Sequence, residues 1–137
     1  MKKNKEKIQN YKNRISSNMY QIRKMEDDIE QLKILKSKLE KMKRQVEKSS
    51  EITRNKIFAV PNMIRSNMKL NIFSNIINYT NGTHYNDVID EINSGIYKIQ
   101  NEIEIKQNNV SNLIRQNNVY DVNIHELIEE DKNGTNC

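Results

Sequence analysis

Apolar residues recur along the first part of the chain at Ile8, Tyr11, Ile15, Ile22, Met25, Ile29 and Leu32, in alternating steps of three and four, with Asn18 filling the one polar place. That spacing is the heptad rhythm of a helix that packs along one line on another helix. Beyond Leu32 the next apolar residues are Leu35, Leu39, Met42 and Val46, so two steps of three follow one another. The stripe is therefore expected to rotate by one position after Leu32, as at a stammer.

The rhythm fades around Ser49-Ser50, and Pro61 removes a backbone donor while biasing Val60 out of the α region. A first long helix is expected over residues 5–59. A short, kinked helix follows over 61–77, carrying Ile64, Met68, Ile72 and Ile76, and a turn over 78–84 centres on Asn81-Gly82, the strongest turn dipeptide present. From Tyr85 a strict heptad resumes through Ile89, Ile92, Ile96, Ile99, Ile103, Lys106, Val110 and Leu113, predicting a second long helix over 84–117. Gln116-Asn117-Asn118 is expected to end it, leaving residues 118–137 as a short helix capped by Asn123 and a flexible tail. The segment between the two long stripes lets the second fold back on the first. The fold expected is all-α, an antiparallel helical hairpin of two long amphipathic helices with the short helix between them.

Composition narrows what such a hairpin can do alone. Hydrophobic residues are 35% of the chain and charged residues 30%, against about 45 to 50% apolar in an ordinary globular domain, so a thick single-chain core is not expected. Met19, Ile34, Ile105 and Ile114 fall outside the stripes and widen the apolar face beyond one contact line. Further helices, from a partner or from other copies, are needed to cover it. The expected partner interface comprises Ile15, Ile22, Ile29, Leu32, Leu35 and Leu39 of the first helix and Ile92, Ile96, Ile99, Ile103, Lys106 and Val110 of the second, with Asn81, Gly82 and Tyr85 shaping the turn. Lys106, a charge on an apolar seam, either fixes register or partner choice or snorkels out to water.

Charge is divided unevenly. Residues 1–50 hold 15 Lys/Arg against 7 Asp/Glu, whereas residues 85–137 hold 4 against 10. Opposite segments attract when laid side by side, yet exposed pairs contribute only about 0 to 1 kcal/mol each, so charge selects the pairing more than it stabilises it. A basic first helix also raises nucleic-acid binding. Glu26, Asp27, Asp28, Glu30, Glu40 and Glu47 interrupt its Lys and Arg, and a solvated face explains the pattern better.

Little here suggests catalysis. His84 and His125 are far apart with no Cys near them, so no metal site or cofactor is expected. No phosphate-cradling Gly-rich loop and no nucleophile elbow can be read, and a slender hairpin offers carboxylates no desolvated pocket. The protein is expected not to be an enzyme. A single cysteine forms no intrachain disulfide, no apolar run approaches the roughly 20 residues of a membrane span, and no hydrophobic stretch follows the basic start Met1-Lys2-Lys3-Asn4-Lys5. A cytoplasmic setting follows as the expectation.

The run Ile29-Glu30-Gln31-Leu32-Lys33-Ile34-Leu35-Lys36-Ser37-Lys38-Leu39-Glu40-Lys41, followed by Asn81-Gly82-Thr83-His84-Tyr85 and a second long helix, resembles the YwqH-like proteins of the WXG-type superfamily. These are small helical proteins that accompany LXG toxins in type VII secretion loci. The similarity covers residues 8–115 as an arrangement. It implies a targeting factor, or chaperone, that binds the helical N-terminal domain of an LXG toxin, with a second small helical protein as a further partner, and that is co-secreted with its cargo or stays behind. Two features depart from the superfamily. No Trp-x-Gly stands at the turn, and Tyr120 is followed at the fourth place by Ile124 rather than by Asp or Glu. The resemblance thus carries the binding role and not an export signal of its own. The competing expectations are a homo-oligomeric structural coiled coil and, further off, a basic nucleic-acid-binding helix whose binding would fall steeply with salt.

Overall fold

The computed structural model describes residues 3–58 and 83–135. Two α-helices account for them, α1 (Lys5–Phe58) and α2 (Thr83–Thr135), and the two pack together in a hairpin-like all-α fold. The expected short helix at 61–77 and the turn residues Asn81 and Gly82 lie outside the described residues. The chain divides into two compact units, Met1–Leu32 with Glu102–Cys137, and Lys33–Asn101.

Asn4 starts α1: its carbonyl accepts the first intrahelical bond, from the Ile8 amide at 2.9 Å, and its side-chain amide reaches across to the Leu127 carbonyl at 3.5 Å. In the first unit, contacts that join the helices advance along α1 as they retreat along α2, from Asn4 with Leu127, through Tyr11 with Tyr120 and Asn18 with Asn117, to Asp28 with Lys106. The pairing is antiparallel. Its core holds Ile29, Ile103, Val110 and Ile124. In the second unit the order is the same, with Lys36 against Gln100 and Leu39 against Gly95, around the buried Ile92.

The inward positions of α1 correct the expected stammer. In the first unit they are Asn4, Ile8, Tyr11, Ile15, Asn18, Ile22, Met25, Ile29 and Leu32; in the second they are Lys36, Leu39, Lys43, Val46 and Ser50. Within the second unit the steps from Lys36 to Ser50 alternate between three and four. Leu35 and Met42, which the apolar pattern assigns to the seam, are 46% and 49% exposed. A lysine can hold a seam position because its methylene stem packs while its ammonium reaches a polar partner, here the Gln100 side-chain oxygen at 2.8 Å from Lys36. Ser50 is buried at a seam place, and no break occurs at Ser49-Ser50, α1 running on to Phe58.

Along α2 the correction lies at the other end. The helix does not stop at Gln116-Asn117-Asn118, nor does a separate short helix and tail follow; α2 continues to Thr135. The heptad continues with it through Asn117, Tyr120, Ile124, Leu127 and Asp131, all buried or half-buried. Asn costs a helix interior less than about 1 kcal/mol, which the burial of Ile124 alone is enough to offset.

Gly95 is half-buried beside Leu39, and a Cβ built on it would meet Leu39 Cδ1 at 3.3 Å. That atom ends a flexible side chain and can move by a few tenths of an ångström. Gly95→Ala should gain most of the roughly 1 kcal/mol of helix propensity that separates Ala from Gly, for a net stabilisation of about 0.5 kcal/mol in urea unfolding followed by circular dichroism. A net loss would mean that Leu39 is held rigidly in place.

Candidate partner interface

In the first unit the seam carries three polar devices. Asn18, 9% exposed, donates both side-chain amide protons across the pair, to Gln116 Oε1 at 2.8 Å and to Asn117 Oδ1 at 2.9 Å. Lys106 lies between Asp28 Oδ2 of α1 at 3.6 Å and Glu102 Oε1 of its own helix at 3.5 Å. Its side chain is 23% exposed, so the ammonium is held in the pair by carboxylates on both helices rather than extended freely into water. The cross-helix pair has the opposite polarity to the segment charges, an acid on the basic helix and a base on the acidic one. The rings of Tyr11 and Tyr120 meet tilted by 36° with centroids 5.4 Å apart, and the Arg14 guanidinium stands 5.8 Å from the Tyr120 centroid. Polar and aromatic pairs of this kind define which heptad faces which, because sliding by one repeat separates all of them at once.

Beside this seam an open groove runs between the helices of the first unit, lined by Ile15, Met19 and Ile22 of α1 and by Ile114 of α2, with Arg23, Glu26 and Asp121 at its rim. Met19 and Ile114 are 45% and 46% exposed. On α2 the outward face adds Ile105, Val119 and Val122, each more than half exposed. In the second unit the exposed apolar residues are Ile34, Leu35, Met42, Val88 and Tyr97.

The residues expected to meet a partner therefore fall into two groups. Ile29, Ile103 and Val110 in the first unit and Ile92 in the second are buried, and Leu32, Leu39, Ile96, Ile99 and Lys106 are half-buried on the seam, where the other helix of the same chain already meets them. Ile15 and Ile22 are half-buried and line the groove, Leu35 is open to solvent, and Tyr85 is half-buried near the start of α2. The surface left for a further helix is mostly the set that the sequence placed outside its stripes: Met19, Ile34, Ile105 and Ile114, joined by Met42, Val119 and Val122. Val119 and Val122 lie beyond the expected helix end; continuing the 4-3 count past Leu113 would have found the helix that carries them.

Among the described residues no helix is long and apolar enough to cross a membrane. No group of three or more His, Cys, Asp or Glu among them is placed to hold a metal ion. Comparison of the chain with protein-family models, curated proteins and solved structures finds no match.

Proposed function

We propose that this protein is a non-enzymatic helical binding partner that lends its helix pair to a bundle completed by another helical protein. On the strength of the resemblance to YwqH-like proteins, that other protein is the helical N-terminal domain of an LXG toxin, which this chain keeps presentable for type VII secretion. The observation that supports the reading is the groove of Ile15, Met19, Ile22 and Ile114. A row of apolar side chains on α1 faced by Ile114 on α2 is a surface on which an amphipathic helix can lay its own apolar face. Covering half-exposed Met and Ile side chains contributes about 1 kcal/mol each, and a few such anchors usually dominate an interface. The mixed rim of Arg23, Glu26 and Asp121 supplies discrimination more than affinity.

The test is co-expression of the chain with the helical N-terminal domain of an LXG protein encoded beside it, followed by purification through this chain. A stoichiometric complex is expected, and Met19→Glu with Ile114→Glu should weaken it by at least about 100-fold while leaving helicity intact, because charged groups would then be buried without partners. Failure to recover the complex, or a complex indifferent to both substitutions, would reject the groove as the docking site.

A further inference from the structure

The second unit presents a basic and apolar strip on α1. Ile34, Lys38, Lys41 and Lys48 follow at steps of four, three and seven, so they share one helix face, all exposed, with Leu35 and Met42 beside them. Seven Lys and Arg stand against three acids between residues 33 and 51. The first unit presents the chemical opposite on α2: Val119, Val122, Glu126 and Glu129 follow at steps of three, four and three, all exposed. Five acids and no Lys or Arg occur between residues 119 and 131. There the surface forms a shallow depression lined by His125, Glu126, Glu129, Glu130 and Asn133, open to an incoming lysine.

From this match we infer that the protein self-associates, the α1 strip of one copy docking on the α2 strip of a second. The strips have the same spacing. Laid parallel, Val122 comes opposite Ile34 of the other copy, Glu126 opposite Lys38 and Glu129 opposite Lys41, which places one apolar contact and two ion pairs on a single line. Glu129 already meets Lys132 of its own helix at 3.6 Å, but both side chains are about two-thirds exposed, so the carboxylate is free to exchange or share that partner. A narrow contact of this type gives a weak complex whose dissociation constant rises with ionic strength. It uses neither Met19 nor Ile114, so it stands or falls separately from the binding of a different helical protein.

Sedimentation velocity on the full chain decides it. At about 50 mM salt the wild type should shift from monomer to a larger species as concentration rises, and about 500 mM salt should reverse the shift. Lys38→Glu with Lys41→Glu should weaken self-association at least about 100-fold, as should Glu126→Lys with Glu129→Lys, each with unchanged circular dichroism. An equimolar mixture of the two variants should form the mixed complex. The inference is overturned by a wild type that stays monomeric at low salt, by self-association that survives either charge reversal, or by two folded variants that fail to recognise each other.

Discussion

Ile103→Ala should cost about 2 to 4 kcal/mol in urea unfolding, whereas Ile105→Ala, two residues away on the same helix, should change stability by less than about 0.5 kcal/mol. The difference follows from position alone. Ile103 is 3% exposed within the seam of the first unit, and truncating it loses the transfer free energy of the removed methyl groups and leaves a cavity between α1 and α2. Ile105 is 54% exposed, so its removal empties no space. In a chain with so thin a core, whose total stability is expected within the usual range of about 5 to 15 kcal/mol, the first substitution removes a large share and lowers the unfolding temperature. Equal effects at the two positions would show that α2 is rotated from the orientation described.

The second large effect is expected at the polar layer. Asn18→Ala removes two hydrogen bonds from a buried amide and strands the Asn117 oxygen on a half-buried seam position, for a loss of about 1 to 2 kcal/mol. Asn117→Ala should cost about 1 kcal/mol, and the double variant less than the sum, with a coupling of about 0.5 to 1 kcal/mol in a double-mutant cycle. Asn18→Leu combined with Asn117→Leu should instead raise the unfolding midpoint while loosening register, since two apolar residues fit equally well one heptad away. Additive single effects would mean that the two amides do not meet.

How much of this was legible in the sequence depends on which physical signal carried it. The heptads from Ile8 to Leu32 and from Tyr85 to Leu113 are strong because each step places an aliphatic side chain on one line, and both helices stand where that rhythm places them. Beyond Leu32 the apolar pattern points to the wrong positions for a definite reason. Leu35 and Met42 look like core by composition, and Lys36 and Lys43 do not. Yet within the second unit positions 36, 39, 43 and 46 turn inward together, and lysine tolerates this where the ammonium of Lys36 finds Gln100. Gln116-Asn117-Asn118 reads locally as a helix end because amide side chains compete for backbone hydrogen bonds. Here Gln116 and Asn117 are drawn instead to Asn18, a residue nearly a hundred positions earlier that no local window contains. The apolar surplus at Met19, Ile34, Ile105 and Ile114 was legible as surplus, and all four are open to solvent. Which of them faces which partner is a property of the groove and strips, and becomes readable only once the register is known.

The register of the second unit decides which residues remain for other molecules, and thiol accessibility tests it directly. In a Cys137→Ser background, single Leu35→Cys, Lys36→Cys, Met42→Cys and Lys43→Cys variants should divide by position, the thiols at 35 and 42 reacting with a maleimide several-fold faster than those at 36 and 43. Protection at 35 and 42 with rapid labelling at 36 and 43 would contradict the seam described for the second unit.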